Sequence, residues 1–259
     1  MTPWEAVAIF AAGIGAGGIN AVVGSGSLIT FPTMVAVGLP PVVANVSNNI
    51  GLVPGSLTGA LGYRAELKGQ RDRLVRLGAG SLLGSLIGGV LLLSLPERTF
   101  TVIVSALIGL ACVLVVAQPR LSARIAARRE HAHPHGGPWL WLGVFGAGIY
   151  GGYFGAAQGV LLIGLLGIFL EEELQRVNAA KNVLSLVVNG VAAVLFVTAD
   201  ALDLFPMAEI DWRAVALVAV GATIGGYLGA RVGRKLPAPV LRGFIVCVGV
   251  AAIVKLVYG

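Results

Sequence analysis

Two short polar stripes interrupt a chain that is otherwise poor in polar residues. Asn45 and Asn49 lie four residues apart and Ser56 follows seven later; Asn178, Asn182 and Asn189 repeat that spacing. On an α-helix such residues share one face. Ser47 and Asn48 complete the first block. Amides and hydroxyls offer both donors and acceptors, and two facing stripes suit the oxygens of a small oxyanion. The competing use is interhelical hydrogen bonding, which Asn and Ser commonly provide between membrane helices. The second stripe also carries Lys181. A buried charge normally faces a cavity or a partner, and no Asp or Glu lies within any predicted full span. A bound anion is the natural counter-ion, so Lys181 is the first candidate for recognising substrate charge. Snorkelling to the interface is its alternative. Arg176, nearer the boundary, is expected to snorkel, and Glu171, Glu172 and Glu173 suit the positive end of the helix that follows them.

A third group lies where apolar runs break. Gly24, Ser25, Gly26 and Ser27 interrupt one run, and Gly155, Gln158 and Gly159 interrupt another. Helices starting there would aim free N–H groups at an anion, and glycine lets backbone approach closely. Ser25, Ser27 and Gln158 are therefore substrate-binding candidates, with Gly24, Gly26, Gly155 and Gly159 as helix-break residues.

The elements that position these groups are membrane helices. The chain has 259 residues, 57% hydrophobic and 12% charged, with 38 glycines. A soluble domain is about 25% charged, and half that charge cannot cover a soluble surface of this size. The composition therefore excludes a soluble globular fold and intrinsic disorder. A span needs about 20 apolar residues. Full spans are expected at Val42–Tyr63, Leu74–Leu95, Phe100–Ala117, Val177–Val197, Trp212–Val232 and Val240–Tyr258. Trp4–Gly38 and Trp139–Leu170 fit no single helix; each reads as a pair of short helices joined by an irregular turn. Glu5 occupies the place of a basic signal-peptide region, so the first span is expected to stay as an anchor. Cys112 and Cys247 lie in apolar runs and read as small buried hydrophobes.

The halves repeat. Gly15-Ala16-Gly17 and Gly24 correspond to Gly146-Ala147-Gly148 and Gly155. The block from Ala44 to Ile50 corresponds to Val177 to Val183. Gly80, Gly84, Gly88 and Leu95-Pro96 correspond to Gly221, Gly225, Gly229 and Leu236-Pro237. These Gly ladders read as small-xxx-small helix contacts. The domains are thus a first repeat at 1–117, a linker at 118–138 rich in Arg and His, and a second repeat at 139–259. His131, His133 and His135 read as solvated linker; neither a metal nor a cofactor is expected.

Charge gives orientation. Arg64, Lys68, Arg71, Arg73 and Arg76 place one loop in the cytoplasm, and the Arg-rich linker follows two spans later on the same side. Asp200, Asp203, Glu209 and Asp211 mark an outside loop, and Arg231, Arg234 and Lys235 an inside one. Both termini then fall outside and the repeats are inverted. The expected fold is an all-α polytopic membrane protein of two inverted repeats. Each has a broken or re-entrant helix pair followed by three full spans, for eight to ten membrane segments in total. Inverted repeats with broken helices characterise secondary transporters; duplication for stability alone is the plainer alternative. The net charge of +6 is accounted for by cytoplasmic loops rather than nucleic acid.

With these pieces in place, the chain resembles the TauE/SafE, or sulfite exporter, family of membrane permeases. Ala16–Gly26 followed by Leu28–Pro32, the Asn45–Asn49 block and the glycine ladder ending in Leu-Pro carry the resemblance, each present in both halves. The resemblance implies transport of a small sulfur-containing anion, such as sulfite, thiosulfate or an organosulfonate, across the cytoplasmic membrane. Ala156-Ala157-Gln158 departs from the Gly-rich pattern. The expected partners are the anion and the bilayer, with homodimerisation left open. An enzyme is disfavoured by the lack of hydrolase motifs or paired intramembrane carboxylates. A cation or metabolite transporter is disfavoured by the lack of embedded acids. A non-transporting assembly subunit is the remaining alternative.

Overall fold

The computed structural model describes residues 1–127, 136–205, 209–232 and 238–258, and among them the chain is all-helical. Ten helices follow in order: α1 (Pro3–Val22), α2 (Ser27–Ala36), α3 (Pro41–Gly62), α4 (Arg71–Ser94), α5 (Glu97–Ala127), α6 (Gly137–Tyr153), α7 (Gln158–Phe169), α8 (Leu174–Ala201), α9 (Trp212–Val232) and α10 (Ala238–Tyr258). Among the described residues α1, α4, α5, α8 and α9 are long and apolar enough to cross a membrane. The outer surface is apolar too. Val75, Val102 and Val194 are 67%, 68% and 68% exposed, a surface suited to lipid rather than water.

The broken segments resolve into hairpins. At α1–α2 the chain turns through Val23–Gly26 and runs back along α1: a side chain on Gly26 would overlap the Ala16 carbonyl, and Ile29 lies against Gly15. In α6–α7, Gln158 fills the space beside Gly151 and Leu165 that beside Gly143. The first arm of each hairpin is longer than the expected short helix, at 20 residues for α1 and 17 for α6. The return arms α2 and α7 have 10 and 12 residues. At 1.5 Å per residue they measure about 15 and about 18 Å, together about one hydrocarbon thickness.

The glycine ladders seat these hairpins. Gly84 and Gly88 of α4 press on the α6 backbone at Phe145 and Ile149, and Gly221, Gly225 and Gly229 of α9 press on α1. The main packing partners exchange in step with the repeats. Helix α1 packs on α9 as α6 packs on α4; α2 packs on α10 as α7 packs on α5; the equivalent helices α3 and α8 pack on each other. A Cβ on Gly84 would overlap the Phe145 carbonyl, whereas one on Gly146 meets open space. Gly84→Ala is therefore expected to lower the melting temperature in detergent. Gly146→Ala should leave it unchanged or raise it slightly, since Ala is about 0.5–1 kcal/mol the better helix former.

One end of the bundle is basic and tied by side chains. Glu172, in the α7–α8 loop, bonds Arg73 at 2.9 Å and Arg176 at 2.5 Å. Arg176 also donates to the carbonyls of Glu66 and Lys68. Arg176 is thus bound rather than snorkelling, and Glu172 is spent on arginines rather than on the start of α8. Burial pushes the Glu172 carboxyl up, but the Arg176 and Arg73 hydrogen bonds and charges outweigh it and hold it below the usual carboxylate value. A carboxyl lowered in the folded state stabilises above its unfolded value, and that stability is lost as pH falls through the folded one. Wild-type protein should therefore lose melting temperature below about pH 4.5, and Glu172→Gln should flatten that loss; an unchanged acid limb in the variant would refute this role. At the opposite end, Met1, Glu5, Gly38, Glu209, Asp211 and Arg213 surround one open vestibule.

Helix α5 continues to Ala127, past the expected end at Ala117, so the first part of the Arg-rich segment is helical. Ala, Leu and Arg are strong helix formers, and Pro119 does not end the helix. His131, His133, His135, Arg128, Arg129, Arg234, Lys235, Leu236 and Pro237 lie outside the described residues. Cys112 is buried as expected, whereas Cys247 is exposed on the apolar surface of α10.

Candidate functional site

The two hairpin tips meet. The Gly159 N–H at the start of α7 donates to the Gly24 carbonyl at 3.0 Å. Gly24 has φ +86°, and a Cβ at either glycine would overlap the other's Cα. Only glycine permits this backbone-on-backbone contact.

Each repeat caps the other's broken helix. Asn45 on α3 donates to the Tyr153 carbonyl at the end of α6, at 3.0 Å. Asn178 and Asn182 on α8 donate to the Ala21 carbonyl near the end of α1, at 3.2 and 3.3 Å. The last carbonyls of a helix have no partner within it, and unsatisfied backbone is costly in a membrane interior. The paired stripes thus serve in part as interhelical glue. Ser56 and Asn189, the far members of the stripes, bond each other at 3.1 Å.

Beside the crossing, toward the basic end, lies a small polar cavity of about 20 Å³, enough for a water-sized group or slightly more. Its wall includes Asn20 and Ala21 from α1; Gly24 and Ser27 from the first tip; Gly55, Ser56 and Gly59 from α3; Gly155, Gln158 and Gly159 from the second tip; and Asn182, Ser185 and Asn189 from α8. The wall carries no charged side chain. Gln158 Nε2 is buried without a protein partner, as are Ser25 Oγ and the side-chain oxygens of Asn45, Asn49 and Asn178.

The structure brings together some of the residues singled out from sequence and separates others. Ser27, Gln158, Asn182, Gly24, Gly155 and Gly159 line the cavity; Asn45, Asn49, Asn178, Ser25 and Gly26 are not on its wall. Ser47 accepts from the Asp211 N–H at the start of α9, and Asn48 accepts from Thr30. Both therefore tie α3 to its neighbours. Lys181 is fully buried but not on the wall. Its amine donates to the carbonyls of Asn20 at 2.8 Å and Ala21 at 3.4 Å, the residues whose other faces line the cavity. Its stem packs against Gly159. Lys181 thus stands one wall thickness behind the cavity rather than in it.

Most N–H groups at the tips are already spent within the protein. Gly26 N–H is taken by the Asn20 side chain at 2.7 Å. Leu28, Ile29, Gln158 and Val160 N–H groups close tight turns onto Ser25, Gly26, Gly155 and Ala157 carbonyls, and Gly159 is spent on Gly24. Buried donors find partners, and four-residue turns place carbonyls within reach of these. Besides the Ser27 N–H, side chains supply most of the donors on the wall.

Asn20, Ser185, Gly55 and Gly59 were missed from sequence. The repeat carried the signal. Asn20 corresponds to Gly151, Ser185 to Leu52, Gly55 to Val188 and Gly59 to Ala192. Where one repeat has small or polar residues the other has apolar ones, and Leu52, Val188 and Ala192 are fully buried. On the other side of the crossing, apolar side chains take the place of these cavity-lining residues. The other side is packed by Phe31 edge-on to Phe154 and by Phe100 against Tyr153, with ring centroids 5.2 and 5.8 Å apart.

A helical bundle with an apolar outer face, two hairpins meeting tip to tip and a polar cavity at their crossing is the architecture of a polytopic membrane protein. The chain matches the family model described as sulfite exporter TauE/SafE over residues 9–256, and it belongs to that family. It is 25% identical over 254 residues to a Haemophilus influenzae protein named "Probable membrane transporter protein", covering 96% of this chain and 93% of that one. It is 23% identical to the "Probable membrane transporter protein YfcA" of Escherichia coli strain K12, covering 94% and 86%. A Sinorhizobium sp protein, "Probable membrane transporter protein ORF9", is 22% identical, with 96% and 90% covered. No solved structure matches the chain significantly.

Proposed function

We propose that the protein is a secondary transporter that carries a small oxyanion across the cytoplasmic membrane by alternating access. Sulfite, thiosulfate or an organosulfonate is the proposed cargo class, in keeping with the family's description. The observation that carries the anion reading is Lys181: a fully buried amine behind a neutral polar wall, with backbone carbonyls as its hydrogen-bond partners. Positive charge placed there draws an anion toward the cavity, which must widen beyond its about 20 Å³ to admit it, and Gln158, Ser27 and Asn182 then supply hydrogen bonds to its oxygens. An embedded acid would serve a cation; the acids of the helices around the crossing, Glu5 of α1 and Asp200 of α8, sit at those helices' far ends.

The antiparallel course of α3 beside α8 supports repeats inserted in opposite senses: Asn189 meets Ser56, and Asn182 lies near Gly59. The gathering of Arg73, Arg76 and Arg176 at one end supports a cytoplasmic basic end, with the linker on the same side. In this reading the closed aromatic layer faces outward. Exchange of the two repeat conformations would open it and close the cavity.

Uptake of labelled sulfite, thiosulfate and sulfoacetate into proteoliposomes tests the function. Gln158→Ala and Asn182→Ala are each expected to raise KM about tenfold or more, the cost of one hydrogen bond to a charged group. Counterflow of a cationic or neutral solute with none of the three anions would refute the anion reading.

A further inference from the structure

Lys181 has a feature that anion attraction does not use. Its amine nitrogen has two acceptors, the carbonyls of Asn20 and Ala21. A neutral amine supplies two N–H donors, and an ammonium supplies three. Both protonation states therefore satisfy the same two carbonyls, and the third N–H of the ammonium has no acceptor among the described residues.

The surroundings offer no compensating charge. The helices packed against α8 are α1, α3, α4, α6 and α7. Helices α3 and α7 contain no Asp, Glu, His, Lys, Arg, Tyr or Cys. The acid of α1, Glu5, is at its far end in a capping box with Thr2. On α4, Asp72 and the arginines lie in the first turns at the basic end, where Arg73 is held by Glu172. On α6, Tyr150 donates to the Ala156 carbonyl, and Tyr153 packs on Phe100. Within α8 itself Arg176 is paired with Glu172, and Asp200 is at the opposite end. A cation without a counter-ion is expensive in such surroundings. A bound anion in the adjoining cavity is the counter-ion that the protein does not supply.

We propose that Lys181 is the proton carrier of the transport cycle: the anion and a proton bind together, the proton on the Lys181 amine, and are released together. This rests on the anion-transporter reading above. The reciprocity follows from linkage, since an anion that favours the ammonium is itself bound better by it. The step balances simply. The amine takes one proton from one side when the anion enters and returns it to the other side when the anion leaves; no covalent bond to the anion forms. Carriers that couple ions through embedded carboxylates use the same principle with the opposite charge sign. Here the titrating group is a base, in keeping with an anionic cargo.

Labelled thiosulfate is the probe, because it does not titrate near neutral pH and so carries no proton itself; sulfoacetate is the second. Proteoliposomes are given a one-unit pH gradient, acid outside, with the membrane potential clamped at zero. One-to-one coupling accumulates the anion about tenfold inside, since one pH unit is a tenfold ratio, and an internal dye reports acidification matching the uptake. Lys181→Gln keeps two N–H donors for the same carbonyls but has no titrating group. Like other uncharged variants at this position, it is expected to exchange anion at equal pH about 100-fold more slowly. Over correspondingly longer times that residual exchange should reach equal concentrations on both sides of the pH gradient, with neither accumulation nor acidification. Wild-type flux of either anion without accumulation or acidification would overturn proton coupling and leave the transporter reading intact. Accumulation by Lys181→Gln equal to wild type would overturn the assignment to Lys181. Absence of flux for both anions would overturn the transporter reading, and this proposal with it.

Discussion

Gly24→Ala is expected to abolish anion flux and to lower the melting temperature by several degrees. Two costs act together. The backbone at Gly24 has φ +86°, a region where an L-residue pays about 1–2 kcal/mol. The new methyl would also overlap Gly159 Cα and sit 3.0 Å from Gly159 C, so backbone rather than a yielding side chain must move. Moving it breaks the Gly159–Gly24 hydrogen bond that joins the tips. Gly38→Ala isolates the first cost: Gly38 has φ +96° with nothing within 4 Å. Gly159→Ala isolates the second; its methyl would overlap Gly24 Cα and lie 2.9 Å from Lys181 Cδ. Gly38→Ala should lose a little stability and keep transport. Gly159→Ala should lose transport. The Gly24/Gly159 double variant should cost less than the sum, because one separation of the tips relieves both overlaps. Wild-type flux in Gly24→Ala would show that the contact has no part in transport.

Lys181→Ala is expected to reduce thiosulfate and sulfite flux by about 100-fold or more while leaving a folded protein. A hydrogen-bonded or paired charge in a buried site contributes about 3 kcal/mol or more, and 1.4 kcal/mol is a factor of ten. Folding survives because the Ala21 carbonyl keeps its bonds from Asn178 and Asn182; only the Asn20 carbonyl loses its donor, at about 1–3 kcal/mol. Lys181→Met, closer in volume, separates lost charge from lost packing: it should restore melting temperature but not flux. A variant that folds and transports with unchanged kinetics would remove Lys181 from the mechanism. The equivalent position in the first repeat is Asn48, which bonds Thr30 instead. Asn48→Ala is therefore expected to act on stability more than on transport.

Helix positions were legible because membrane helices announce themselves by length and apolarity: α9 begins and ends where its sequence run does, at Trp212 and Val232. The breaks were legible from Gly24 and Gly155, both of which adopt positive φ. What each polar residue bonds was not. Asn49 and Asn182 occupy equivalent places in their stripes, yet Asn182 lines the cavity and Asn49 does not. That difference comes from Leu52, Val188 and Ala192 opposite Ser185, Gly55 and Gly59. It is visible only when the two halves are compared for their mismatches rather than their matches. Lys181 was found by its charge; its position behind the wall depends on where α1 ends, at Val22.

The reciprocal capping has a consequence for biogenesis. Asn45 of the first half closes the end of α6, while Asn178, Lys181 and Asn182 of the second half close the end of α1. During synthesis the first half reaches the bilayer with the α1 carbonyls and the Gly24 carbonyl lacking these partners, until the second half arrives to supply them. Each half alone is therefore expected to leave buried carbonyls unpaired. Two polypeptides divided between Arg120 and Gly137 should accumulate only when made in the same cell, each protecting the other from proteolysis. A substitution that weakens a cap in one half would then be offset only by a change in the other half, because each cap joins the two.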